Sequence, residues 1–368
     1  MKLTERDLVL DFETQSEIDL PKVGAYKYAE HPSTRVICAS FWRGDAALGT
    51  PTLHWCTPAR QDMHHIVLDH VRSGGRVWAW SSMFEWAIWT RTLKLPADIR
   101  QFRCIMSLAL AYGLPGSLDK AARLAKLQHH KGREGKSLIS KLCKPQKKLG
   151  WQLPVYADYP ADFEAFGRYC QDDTLAEAEM LLKLPEVQPE EIEAFFLDRE
   201  INERGVCIDL EAARAALHVV TAALTPINQE VIDLTKGQIT NVATQHQRVL
   251  QWLQARGFKY DTTRKEILQR ILAKRRRELA PEVVQMIELR LLAARSSTSK
   301  LEAVEVGTCN DGRIRGTTKF CGAARTGRWS GQRPLQVHNF PRPQDKFKPD
   351  DQSYTIELLK TFTTEQAM

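Results

Sequence analysis

No stretch of the 368 residues is long and apolar enough to span a bilayer, which excludes a helical membrane protein. The opening residues, Met1 to Asp7, contain no apolar h-region and run directly into a strand-like segment. Nothing there marks secretion, and a cytoplasmic setting is expected. No CxxC pair occurs. The eight cysteines (38, 56, 104, 143, 170, 207, 309 and 321) are scattered, so reduced thiols are expected rather than disulfides or zinc. There is no internal repeat and no low-complexity tract. Acids are scarce in two places. Lys120 to Lys148 holds ten Lys or Arg against Glu134, and Arg313 to Lys348 is opposed only by Asp345.

What is present is a globular composition, 43% hydrophobic and 26% charged, in a chain long enough for two or three domains. The net charge of +7 is modest, but its concentration in two stretches points to a polyanionic partner. The first half alternates strand-like runs (Asp7 to Phe12, Val36 to Trp42, Val77 to Trp80) with helical ones (from Met83, from Ser117). It ends in one long helix over Ala161 to Leu184. That order predicts an α/β architecture with a mixed sheet flanked by helices. The Pro-containing segment Leu184 to Pro189 is the expected domain boundary. Helical periodicity then dominates to about Lys300, with expected helices over Leu210 to Lys236, Thr244 to Arg256, Lys265 to Leu279 and Pro281 to Ala303. The cluster Lys274-Arg275-Arg276-Arg277 reads as a helix surface. Beyond Gly307 the texture turns to Gly, Arg, Thr and Pro, with short strands at best.

The chemistry-bearing residues are carboxylates. Asp11 and Glu13 end an apolar run, and alternate strand residues share a face, so the two project together while Phe12 packs behind them. Like charges held that close call for a cation between them. Tyr169 and Asp173, four apart in the long helix, share a face, whereas Asp172 is rotated about 100° away. Between these lies Trp80-Ser81-Ser82-Met83-Phe84-Glu85, a strand turning into a helix with Glu85 in its first turn. Singly, each element suits a surface or a salt bridge, and Glu85 could serve only the helix dipole. Their order and spacing together are the signal.

That order resembles the DEDD exonuclease superfamily, in the subgroup whose third motif carries tyrosine. Within it the proofreading domain of family A DNA polymerases of bacteriophage type looks closest. Asp11-Phe12-Glu13-Thr14 matches the first motif, Glu85 takes the aspartate position of the second, and Tyr169-x-x-x-Asp173 matches the third. Tyr112-Gly113-Leu114-Pro115-Gly116-Ser117-Leu118 and Lys136-Ser137-Leu138-Ile139 add to the likeness, which covers roughly residues 7 to 182. Two departures stand out. The usual His-Asn of the second motif is Trp80-Ser81, and Glu85 is one methylene longer than aspartate. The resemblance implies two divalent cations, Mg²⁺ or Mn²⁺, with Asp11 bridging both. Glu13 and Asp173 would complete the nucleophile side, Glu85 would serve the other, and Tyr169 would orient the attacking water.

A second signature follows. Thr326-Gly327-Arg328-x-Ser330, then Asn339-x-Pro341-Arg342, resembles the first polymerase motif of family A enzymes at the junction of thumb and palm. Asp198 to Asp209 resembles the entry to the polymerase domain, and Leu289 to Leu301 its thumb helix. By this resemblance Arg325, Arg328, Asn339, Arg342 and Lys300 would contact DNA, through phosphates and the minor groove rather than base edges. No match to the two palm aspartates or to the fingers helix follows. The expectation is therefore a chain that does not polymerise alone: a natural half of a split polymerase, whose second chain would supply palm and fingers, a truncated gene product, or a fragment of a longer enzyme.

The expected fold is thus α/β, a ribonuclease H-like exonuclease domain over residues 1–187, a helical thumb-like region over 188–306 and a partial palm segment over 307–368. The expected function is 3′→5′ hydrolysis of DNA ends in proofreading. The rival reading is a DNA-binding scaffold subunit with a weakened nuclease site, motivated by Ser81 and Glu85. An RNA exonuclease of the same superfamily is disfavoured by the signature around Arg328.

Overall fold

The computed structural model describes residues 1–130, 135–293, 298–323 and 326–339. Residues 1–208 together with 306–339 form one compact unit, and 209–305 form a second. Of the first unit, five strands make one sheet: β1 (Asp7–Gln15), β2 (Arg35–Arg43), β3 (Thr52–Trp55), β4 (Arg76–Ala79) and β5 (Phe102–Cys104). Their spatial order is β3-β2-β1-β4-β5. β1 runs antiparallel to β2 and parallel to β4, so the sheet is mixed, as expected.

Strand alternation sorts β1 between two layers. Leu8, Leu10 and Phe12 face a core closed by α1 (Leu20–Val23), α2 (Ala25–Glu30), α3 (His65–Arg72) and α4 (Ser82–Ala87), the last running on as a wide turn over Ile88–Thr92. Val9 and the residues in phase with it face the opposite layer. That layer holds α5 (Ile105–Ala111), α6 (Leu118–Leu124), α7 (Gly135–Leu142) and the long α8 (Pro160–Lys183). Asp7, fully buried, anchors the start of β1: Arg76 donates to both its oxygens at 2.7 and 2.6 Å, and the Trp78 indole donates at 2.8 Å. Burial pushes the Asp7 carboxyl upward, but these bonds outweigh it and leave its pKa lowered.

The first compact unit runs past the expected boundary at 187/188 to Ile208 and resumes at Val306, one residue from the expected boundary at 306/307. α9 (Pro189–Arg204), β6 (Val206–Cys207), β7 (Arg313–Ile314), β8 (Thr318–Ala323) and β9 (Arg328–Gly331) all join the first unit. The reason is a buried polar seam. Asn202 exchanges hydrogen bonds with the Thr318 backbone at 3.0 Å each way, and the Thr318 hydroxyl donates to Asp198 at 2.7 Å. Glu203 accepts from the Trp86 indole and from Arg91, both at 2.6 Å. Spacing in the sequence marks the turn at Pro185 but not these partners more than a hundred residues away.

The second unit is helical, as the periodicity predicts: α10 (Leu210–Thr235), α11 (His246–Gln254), α12 (Lys265–Arg275), α13 (Pro281–Leu292) and α14 (Thr298–Gly307), the last reaching into the first unit's range. Asp209 caps α10 by accepting from the Ala212 N–H at 2.9 Å. The core is aliphatic and aromatic, with Val231, Val249, Leu253, Leu268, Met286 and Ile287 at its centre. The helix expected over Pro281 to Ala303 ends at Leu292 instead. The basic cluster 274–277 is exposed, with Arg276 paired to Glu288 at 2.7 Å.

Candidate active site

Asp11 and Glu13 lie opposite Ser40 and Cys38 of β2, and the register shifts between Glu13 and Thr14. That irregularity ends the regular ladder next to the carboxylate pair, a place where strands re-aim side chains. Both acids point toward α8, where Asp173 is buried and Asp172 is exposed. One oxygen each from Asp11, Glu13 and Asp173 lies within 4.8 Å of the other two. Three carboxylates without sulfur or imidazole form a hard donor set suited to an oxygen-loving divalent cation. At about 2.1 Å per Mg–O bond, octahedral ligands stand about 3 Å apart cis and about 4.2 Å trans, so this spacing fits such an ion.

Tyr169 sits one turn before Asp173 and is buried. Burial first, then the charges of Asp173 and Glu13, push its pKa well above the ordinary phenol value. The hydroxyl therefore stays protonated and is a donor at any physiological pH. Gly135, which opens α7, lies flat against this ring, and a Cβ there would come within 2.3 Å of Tyr169 Cε2. On the far side of Asp11, the Cys170 thiol donates to its Oδ2 at 3.6 Å.

Glu85 is fully buried in the first turn of α4 and does not join the close group. Burial, then the charge of Asp11, raises its pKa well above the carboxylate range, with a smaller opposing pull from Arg199. Its neighbour is thus Asp11 rather than the whole group. Ser81, at the start of α4, makes no side-chain cap bond.

A cavity of about 340 Å³ opens beside the carboxylates, lined by Asp11, Glu13, Tyr169, Tyr28, Phe84 and Lys144 among others. Tyr28 and Phe84 stand 6.2 Å apart at 42°. Sequence reasoning missed this wall, because β1, α2 and α4 bring it together from distant segments. It also missed Glu177, one turn beyond Asp173, whose carboxylate accepts from the Trp80 N–H at 3.1 Å and ties α8 to the end of β4. The i, i+4 spacing from Asp173 was the available signal.

Of the residues matched to the polymerase motif, Arg328 is exposed on β9, in a hairpin with β8. Asn339 ends a short turn over Val337–Asn339 and donates to Gln336 at 2.6 Å. Lys300 is half-buried on α14, in the second unit. Arg325 and Arg342 lie outside the described residues. In the basic stretch, Lys120, Arg123, Lys126, Lys136, Lys144, Lys147 and Lys148 are exposed.

No protein-family model matches the sequence. The chain is 30% identical over 363 residues to the DNA polymerase of Bacillus phage SP02, an alignment covering 96% of this chain and 54% of that protein. It thus spans about half the length of the curated relative it matches. A similar solved structure is the POL domain of Pol1 from M. smegmatis in complex with DNA primer-template and dNTP. The identity there is 14% and the TM-score 0.44, over 92% of this chain and 52% of that one. No described helix is long and apolar enough to cross a membrane.

Proposed function

We propose, from the likeness to the DNA polymerase of Bacillus phage SP02 and from the two motif sets, that residues 1–187 form a 3′→5′ exodeoxyribonuclease. It would trim mispaired single-stranded 3′ ends of DNA and so proofread. The observation that carries this reading is the approach of Asp11, Glu13 and Asp173 within 4.8 Å, beside a buried tyrosine.

Two divalent cations, Mg²⁺ or Mn²⁺, would supply the Lewis acidity that activates water and offsets charge on the leaving 3′ oxygen. Asp11, Glu13 and Asp173 would hold one cation, and Asp11 with Glu85 would hold the other. Tyr169, held as a neutral phenol, donates: its hydroxyl orients the attacking water and hydrogen-bonds the scissile phosphate. Phe84 and Tyr28 offer the wall on which a terminal base would stack, and Lys144 at the rim offers charge to the backbone. Cys170 and Glu177 position the elements that carry the acids.

Arg325, Arg328, Asn339, Arg342 and Lys300 are assigned to the primer–template duplex, gripping phosphates and minor groove irrespective of sequence. The domain roles carry over in the same sense: nuclease for 1–187, thumb for 188–306, first palm segment for 307–368. Primer extension is not assigned to residues 1–368, which resemble only the first palm segment of a polymerase.

The test is release of nucleotides from a single-stranded DNA 3′ end with Mg²⁺ or Mn²⁺. Asp11→Ala should lower the rate by about 10³-fold or more, since it removes a ligand of both cations. Unchanged trimming in that variant would refute the assignment. A second reading, a DNA-binding scaffold with a weakened nuclease site, draws on Glu85 standing outside the close group. Wild-type protein that shifts DNA on a gel yet releases no nucleotides with either cation would favour it.

A further inference from the structure

A second cluster of metal-binding side chains lies away from the carboxylates, on the edge of the sheet. His54 belongs to the edge strand β3, and Cys56 follows it directly, its N–H still donating to Ile37 of β2 at 2.9 Å. The chain then reverses through a turn closed by paired bonds between Thr57 and Arg60, and Asp62 returns beside the strand. One donor atom each of His54, Cys56 and Asp62 lies within 4.8 Å of the other two, and all three residues are half-buried.

The polar bookkeeping of the cluster is incomplete. His54 Nε2 and Asp62 Oδ1 are both cut off from solvent and neither has a hydrogen-bond partner. They face each other at 3.5 Å. An N–H···O bond between them would close to about 2.9 Å. A tetrahedral zinc ion, with Zn–N and Zn–O bonds of about 2.0–2.1 Å, sets such a pair about 3.3–3.4 Å apart. The other Asp62 oxygen is already taken by Arg60 at 2.7 Å, which fixes the carboxylate in this orientation. The Cys56 thiol donates to the Asp62 backbone carbonyl at 3.3 Å, so its sulfur lies on the same side of the turn.

We propose that His54 Nε2, Cys56 Sγ and Asp62 Oδ1 bind one Zn²⁺ ion, with a solvent molecule as fourth ligand, and that this ion pins the 57–62 turn to the edge of the sheet. A mixed nitrogen, sulfur and oxygen set selects zinc over the hard cations suited to the carboxylate group. Loading converts the Cys56 thiol to thiolate and releases its proton to solvent. The ligands come as His-x-Cys-x5-Asp, a spacing outside CxxC patterns. That is why the cysteine positions pointed to plain thiols.

The experiment uses the full chain, stripped with chelator and titrated with Co²⁺ in excess Mg²⁺. One equivalent of Co²⁺ should produce a thiolate-to-cobalt charge-transfer band in the near ultraviolet, which Zn²⁺ then abolishes. The band should persist in Asp11→Ala, vanish in Cys56→Ser, and require at least about tenfold more Co²⁺ in His54→Gln, which keeps the thiol. Nucleotide release should be unaltered in Cys56→Ser. Absence of the band in wild-type protein, or an undiminished band in Cys56→Ser or unaltered affinity in His54→Gln, would overturn the proposal.

Discussion

The two units spend their interiors differently. The sheet-based unit buries Asp7, Glu85, Asp173, Glu177, Glu179, Asp198 and Arg199, while among the described residues of 209–305 the only buried polar side chain is Thr235. A buried charge costs several kcal/mol unless it is paired, bonded or neutralised. The first unit answers that cost locally: Asp7 with Arg76 and Trp78, Glu177 with the Trp80 N–H, Asp198 with Thr318. For Glu85, burial and the charge of Asp11 raise the pKa well above the ordinary carboxylate value. Among the described residues of the helical unit the burden is smaller: burial lowers the pKa of Arg290, which donates to the His246 ring at 3.0 Å, and Thr235 bonds Val231 and Ile239. The contrast teaches where chemistry is housed. Stability comes cheaply from apolar packing, so charge sunk into a core marks a site or the frame that holds one.

Three substitutions probe this contrast in descending size. Leu253→Ala, in the middle of the helical core, should destabilise the protein by about 2–5 kcal/mol through lost burial and a cavity. Trimming of a single-stranded 3′ end, per folded molecule, should not change; denaturant melts and turnover measured side by side check this, and a matching loss of turnover would break the division of labour. Tyr169→Phe should do the reverse, lowering kcat by about 10²-fold through one missing donor while the melting midpoint barely moves.

The smallest effect concerns Glu179, which accepts from the N–H groups of Gln128 and His129, from the His129 ring and from Lys183. Burial raises its pKa, but these bonds prevail and bring it to about 2. A carboxyl depressed below its ordinary 4.5 contributes stability that is present above pH 4.5 and is lost as pH falls toward 2. Glu179→Gln should therefore cost about 1–3 kcal/mol at neutral pH. The gap from wild type should close between pH 4.5 and 2 in acid-titrated urea melts. A gap independent of pH would show that shape, not charge, holds the 125–129 segment.

The alternation in Leu8 to Glu13 was enough to place Asp11 and Glu13 on one strand face, and helical phase was enough to prefer Asp173 over Asp172. These depend on local periodicity, which a sequence carries openly. The four-residue strand β3 was not legible, since Thr52–Trp55 is flanked by turns and pairs only at the edge. Nor was the attachment of α9 to β8, because a side chain's partner a hundred residues away leaves no trace in spacing. The same blindness hid Gly135 against Tyr169 and the zinc-type ligands His54, Cys56 and Asp62.

By itself, then, the sequence determined the longer elements, the faces they present and the kind of chemistry their carboxylates suit, because backbone periodicity and side-chain type are local properties. Only the tertiary structure decided that Asp11, Glu13 and Asp173 meet within 4.8 Å while Glu85 stays outside the group. It alone joined 306–339 to the first unit. Distances between segments are set by how whole layers pack, and packing depends on the summed shape of residues that no short window contains.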